Sequence, residues 1–210
     1  RATAEAVNCA GAGNVAAAAA EAGATIVHVS TDYVFDGSKR EPWLESDPTG
    51  PLGVYGETKL AGEQAVADAN ARHVVVRTAW LFGAGGRNFV DTMLALGAQR
   101  GEVSVVTDQI GCPTWTVHLA GALVRLAEPA VSPGVHHVAA AGACSWNELA
   151  REAFELARLD CQVLPATTAQ FPRPAQRPAY SVLGSERPDA IALPPWRQGV
   201  AEYLATRVAA

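Results

Sequence analysis

Short runs of β-branched residues alternate along this chain with stretches of helical spacing. Residues 4–21 are alanine-rich and predict a helix, with Gly23 as its stop. Residues 25–30 follow as a buried strand, and residues 73–80, 103–106 and 134–138 repeat that signature. Helical spacing returns over residues 55–71, 89–99 and 117–126. Ser145, with Glu148 three residues on, is a capping box that opens a further helix to about residue 159. Residues 163–178 read as proline-rich and irregular, and a turn and a short helix around residues 199–204 close the chain. The alternation predicts an α/β fold with a mainly parallel sheet.

Composition narrows the function classes. A length of 210 residues suits one ample core or one and a half small domains, and 49% hydrophobic with 18% charged residues is ordinary for a soluble protein. A net charge of -5 with no basic stripe argues against nucleic acid and anionic membranes as partners. No apolar run reaches the length of a membrane span. Cys9, Cys112, Cys144 and Cys161 show no C-x-x-C spacing, so free thiols in a cytoplasmic protein are expected. His136 and His137 alternate across a strand without ligand partners, so no metal site is expected. Trp43, Trp115, Trp146 and Trp196 read as packing residues.

The candidate chemistry lies in three places. The first strand delivers Ser30, Thr31, Asp32 and Tyr33 into a loop over residues 31–51, long for a compact domain and therefore a functional candidate. Ligands of open α/β sheets gather outside such strand ends. Tyr55-Gly-Glu-Thr-Lys59 opens the next helix, and a spacing of four puts the phenol and the ammonium on one face. Trp80 then leaves the following strand at its carboxyl end. A phenol titrates at about 10, and a nearby ammonium lowers that value. With a hydroxyl such as Thr31 to orient a carbonyl, the group can protonate a ketone oxygen while hydride reaches carbon. The spacing alone leaves bland readings open. Tyr55 and Lys59 could be a solvated helix face, Trp80 a core aromatic, Asp32 an Asx turn, and Asp36-Gly37 a plain turn. Arg77 is expected to satisfy carbonyls near the sheet.

Four blocks carry a resemblance. Ser30-Thr-Asp-Tyr-Val-Phe-Asp-Gly37, Pro51-Leu-Gly-Val-Tyr-Gly-Glu-Thr-Lys-Leu-Ala-Gly-Glu63, Arg77-Thr-Ala-Trp-Leu-Phe-Gly83 and Asp108-Gln-Ile-Gly-Cys-Pro-Thr114 resemble successive blocks of the dTDP-4-dehydrorhamnose reductases, within the extended short-chain dehydrogenase/reductase superfamily. The resemblance covers almost the whole chain. It implies a Rossmann-like, doubly wound, mainly parallel α/β fold with a small C-terminal α/β substrate subdomain, divided as residues 1–130 and 131–210. It implies hydride transfer from NADPH or NADH to C4 of dTDP-4-dehydro-6-deoxy-L-mannose, giving dTDP-L-rhamnose. Tyr55 is then the general acid, and Lys59 lowers its pKa and binds the nicotinamide ribose beside Ser30. Thr31 holds the substrate carbonyl, Asp32, Tyr33 and Trp80 line the sugar site, and Arg177 helps to close it. Asn8 falls where related enzymes keep an active-site asparagine.

Such enzymes begin with a strand, a Gly-rich turn and a helix that cradle the dinucleotide pyrophosphate; no G-x-x-G-x-x-G follows a strand here. The N-terminal strands are thus expected to be missing, and these residues alone are expected to bind dinucleotide weakly. The resemblance leaves a homodimer and a Mg2+ requirement open. Rival readings are an epimerase or dehydratase of the same superfamily, and a non-catalytic regulatory subunit that keeps the fold.

Overall fold

The alanine-rich opening folds as one helical run: α1 (Ala2–Glu5), a π-helical turn (Ala6–Gly11) and α2 (Ala12–Glu21). Gly23 ends it at φ 64°, in the left-handed region that glycine enters without steric cost. The computed structural model describes residues 1–208, so residues 209 and 210 of the expected second region lie outside the described residues. In order there follow β1 (Ile26–Thr31), a 3-10 turn (Asp32–Val34), α3 (Val54–Ala69), β2 (His73–Thr78), β3 (Leu81–Phe82), α4 (Phe89–Gly97) and β4 (Glu102–Val106). After these come β5 (Ile110–Gly111), β6 (Thr114–Trp115), α5 (Thr116–Leu126), β7 (Gly134–His137), β8 (Ala140–Ala141) and β9 (Cys144–Ser145). The chain continues with α6 (Trp146–Ala157), β10 (Gln162–Ala166), a second 3-10 turn (Thr168–Gln170), β11 (Leu193–Pro195) and α7 (Trp196–Val208). No helix among the described residues is long and apolar enough to cross a membrane.

The main sheet runs β1-β2-β7, all parallel, with β2 in the centre. Successive side chains of a strand face opposite ways. Val75 therefore packs with Ala12, Ala16 and Val66 of α2 and α3, while Val74 and Val76 pack with Leu119, Ala122 and Leu126 of α5. Helices cover both faces, the doubly wound arrangement, and this explains the unbroken valine run of β2. Burying each valine stabilises by roughly 1.5–3 kcal/mol before the costs of ordering.

A second layer stands beside the first. β4 pairs in parallel with β10, and Val103, Val105 and Val163 are covered by Ala150 and Phe154 of α6 and by Phe89, Met93 and Leu94 of α4. Two expectations are corrected here. The strand at 103–106 does not extend the main sheet, and residues 162–166, expected to be irregular, form its partner. Pro165 disguised β10, because proline removes a ladder donor; in a two-stranded sheet each strand keeps a free edge where that loss is tolerated. The capping box is present: Ser145 Oγ accepts the Glu148 N–H, and Glu148 Oε2 accepts the Ser145 N–H at 2.7 Å. The strand expected to reach residue 80 stops at Thr78, since Trp80 turns to φ 48°. His136 and His137 are buried and bond to backbone carbonyls, and all four cysteines are free.

Candidate active site

Parallel pairing aligns two strand ends, with Ser30 opposite Arg77 and Thr31 opposite Thr78. The first turn of α3 is pressed against the turn that follows β1. A Cβ on Gly56 would lie 2.2 Å from the Tyr33 carbonyl oxygen, so only glycine between Tyr55 and Glu57 allows that approach. The result sets the Tyr33 and Tyr55 rings edge to face, 5.8 Å apart.

These elements border a cleft of about 520 Å³. Ser30, Thr31, Asp32 and Tyr33 line it from the end of β1, Tyr55 and Lys59 from α3, Trp80 from beyond β2, and Arg177 from the distant proline-rich segment. The structure thus brings together every residue singled out from the sequence. Asn8, the position the resemblance pointed to, lines the cleft too, and Thr78 and Trp146 join them. Asn8 donates to Thr58 Oγ1 at 3.0 Å, which ties the π-helical turn to α3.

The electrostatics depart from expectation. Lys59 Nζ donates to the Val29 carbonyl at 2.7 Å and lies 3.4 Å from His28 Nε2. Burial lowers the pKa of this ammonium, and the Glu63 carboxylate pulls it back up. Tyr55 is half exposed. Desolvation pushes its phenol above the ordinary value, the Thr31 hydroxyl pulls it down, and the Asp32 charge pushes it up again. Lys59 is not among the groups that set this shift: one of its ammonium hydrogens goes to the β1 backbone, and the Thr31 hydroxyl is the group that favours ionisation.

Asp32 is 2% exposed, and burial pushes its carboxyl up to about 6 against the pull of the Ser181 and Thr31 hydroxyls. Its Oδ1 accepts from Thr31 Oγ1 at 3.0 Å, while Oδ2 makes no hydrogen bond among the described residues. The residue does not form an Asx turn: Thr31 Oγ1 accepts the Tyr33 N–H instead, and the Asx turn falls at Asp36, whose Oδ1 accepts the Ser38 N–H. Ser30 donates to Glu63, whose carboxylate receives Arg77 Nε and Nη2. Arg77 thus meets a carboxylate, not the carbonyls expected of it.

Trp80 lies flat on Trp146, with centroids 3.5 Å apart and planes within 3°. Gly111 backs the same ring; a Cβ there would stand 2.4 Å from Trp80 Cε2, which explains the glycine of the Asp108–Thr114 block. Trp146, expected only to pack, also walls a second cavity of about 580 Å³ that includes Phe89, Met93, Phe171 and Arg177. Its indole N–H donates to Gln109 Oε1 at 3.1 Å. Nothing in its spacing separates it from a core tryptophan. Thr78 and Glu63 were within reach, since both sit inside the quoted blocks and Glu63 follows Lys59 by one helical turn.

A phenol, an ammonium and a hydroxyl at the carboxyl ends of a parallel, doubly wound sheet define a Rossmann-like fold of the short-chain dehydrogenase/reductase type. A family model described as the RmlD substrate binding domain matches residues 1–208. The dTDP-4-dehydrorhamnose reductase of Mycolicibacterium smegmatis is 45% identical over 213 residues, covering 99% of this chain and 65% of the relative. The solved dTDP-4-dehydrorhamnose reductase of Clostridium acetobutylicum is 44% identical with a TM-score of 0.92, covering 96% of this chain and 72% of that one. That of Bacillus anthracis, solved in complex with NADP, is 39% identical with a TM-score of 0.91, covering 95% and 72%. The chain belongs to the RmlD substrate-binding-domain family, the family of the dTDP-4-dehydrorhamnose reductases. It spans 65% of the length of its Mycolicibacterium relative, just under two thirds.

Proposed function

We propose that this chain supplies the catalytic and sugar-binding part of a dTDP-4-dehydrorhamnose reductase. The reaction is transfer of hydride and a proton to the C4 ketone of dTDP-4-dehydro-6-deoxy-L-mannose, giving dTDP-L-rhamnose. One observation carries this reading: the Tyr55 phenol, the Lys59 ammonium and the Thr31 hydroxyl border one cleft at the strand ends. Tyr55 hands its proton to the ketone oxygen, Thr31 orients that oxygen, and Asp32, Tyr33, Trp80 and Arg177 surround the sugar. The adjoining apolar cavity, which shares Trp146 and Arg177 with the cleft, suits the nucleotide.

The donor set fits a nicotinamide cofactor, NADPH or NADH. An ammonium has three hydrogens; the Val29 carbonyl takes one, which leaves donors for ribose hydroxyls beside Ser30. When bound, that cofactor supplies the hydride. In this reading residues 1–130 form the C-terminal part of the Rossmann-like domain with the catalytic pair, and residues 131–210 are mostly the substrate-binding subdomain, from which Trp146 and Arg177 join Thr31, Asp32, Tyr33 and Trp80 around the cleft. Both cofactor and substrate are soluble, so we assign the protein to the cytoplasm.

The test is NADPH or NADH oxidation by the protein in its natural full length with the 4-dehydro sugar nucleotide. Consumption of one reduced cofactor per sugar supports the reading. Sugar conversion without net consumption favours an epimerase or dehydratase, and no turnover with tight binding of a partner enzyme favours a regulatory subunit.

A further inference from the structure

Glu63 and Arg77 are the most deeply buried ion pair among the described residues, each side chain 5% exposed. Neither touches the substrate cleft in the reading above. We infer that this pair is a positioning unit, which holds the helix bearing Tyr55 and Lys59 against the two strand ends bearing Thr31 and Thr78. The inference rests on the proposed reductase activity.

The geometry is specific. Tyr55, Lys59 and Glu63 recur every four residues and so share one face of α3. Arg77 Nε donates to Glu63 Oε1 at 3.0 Å, and Nη2 donates to Oε2 at 2.7 Å, a fork that fixes both distance and angle. Ser30 donates to the same Oε1. Ser30 and Arg77 are register partners on β1 and β2, each one residue before Thr31 and Thr78. One carboxylate on the helix therefore grips both strands directly behind the cleft. The guanidinium also lies over the Phe35 ring, with Cζ 5.2 Å from its centroid, so it has little room to turn.

Stability alone does not explain the pair. Desolvating two charges cancels most of their attraction, and apolar residues of the same volume often serve the fold as well or better. What apolar residues cannot supply is a fixed angle between helix and strands. The carboxylate also acts on the cleft through its charge, since Glu63 opposes the lowering of the Lys59 ammonium. The charged and titratable groups around it are Lys59 and Tyr55 on its own helix, His28 on β1, Arg77 on β2 and, beyond Arg77, His137 on β7. The helical run packed against α3 at this level presents Asn8 and Cys9.

Glu63→Gln in the full-length enzyme tests the inference. A displaced acid and hydroxyl lower kcat by about 10–100-fold, with KM for the sugar nucleotide little changed. Loss of the nearby negative charge shifts the basic limb of the kcat profile to lower pH. Glu63→Asp, which keeps the charge, is expected to restore that limb. If Glu63→Gln does not fold, the pair Glu63→Leu with Arg77→Met removes the fork without leaving a lone charge. A folded double variant with wild-type kcat overturns the inference, as does a Glu63→Gln enzyme with unaltered kcat and pH profile. Independently of turnover, NMR titration of the Lys59 ammonium is expected to move to lower pH in Glu63→Gln; no movement also overturns it. A wild-type enzyme that does not reduce the sugar nucleotide sinks the functional reading instead.

Discussion

Gly62 sits in the middle of α3, where sequence logic alone favours alanine. Replacing a helix-interior glycine by alanine ordinarily gains about 1 kcal/mol, from propensity and a less flexible unfolded chain. The structure reverses the sign. A Cβ on Gly62 would stand 2.0 Å from the Asn8 carbonyl oxygen and 3.6 Å from His28 Nε2. Carbon and carbonyl oxygen normally rest about 3.3–3.6 Å apart, so one backbone must retreat by more than about 1 Å. The obstacle is main chain in a helical run, not the tip of a flexible side chain. Forced overpacking of this kind costs about 1–3 kcal/mol. Gly62→Ala should therefore destabilise by about 1 kcal/mol, and by no more than about 2, net of the propensity gain. In urea this lowers the unfolding midpoint by roughly 0.5 M at constant slope, given slopes of about 2–3 kcal/mol/M for a protein of this size. The same displacement should weaken the Asn8–Thr58 hydrogen bond, visible as loss of amide protection around residue 58. A midpoint equal to or above that of the wild type would refute the packing argument, because the propensity term would then stand unopposed.

Two further outcomes follow from the cleft. Gly111→Ala pushes a methyl into the Trp80 ring and should break its stack on Trp146; a changed tryptophan emission spectrum with a stability loss of about 1–3 kcal/mol is expected, and an unchanged spectrum would contradict it. Asp32 is a carboxyl whose folded pKa, about 6, lies above its unfolded value of 3.8. The folded state therefore binds more protons in that window, and stability falls as pH rises from about 4 to about 6. Asp32→Asn removes this penalty. Urea midpoints should rise relative to wild type at pH 7, by an equivalent of up to about 3 kcal/mol, and should not differ below about pH 4. An equal gain at both pH values would rule out titration as the cause.

The main sheet and its helices were legible because β2 is a continuous valine run and α3 opens on a recognisable block. Ser30, Thr31, Asp32, Tyr33, Tyr55, Lys59 and Trp80 were legible because they stand at strand ends and on one helix face, whereas Arg177 was legible only through the family resemblance. What escaped had tertiary causes. β10 was hidden by Pro165, whose tolerance depends on a free sheet edge. Trp146 reads as core by spacing, and only the loop that brings Arg177 beside it gives it a cleft to face. The pairing of Arg77 with Glu63 joins a strand to a helix 14 residues away, which composition cannot indicate. The direction of the Tyr55 shift depended on where the Lys59 amine points, a matter of rotamer and of the Val29 carbonyl.

Proton delivery by Tyr55 is most directly tested by Tyr55→Phe in the full-length protein, assayed by single-turnover reduction of the 4-dehydro sugar nucleotide. Removing a general acid costs about 10²–10⁴-fold. The expected result is a loss of that size in the rate of reduction, with the affinity for the sugar nucleotide nearly retained. A phenylalanine variant that reduces the ketone at the wild-type rate would contradict the assignment.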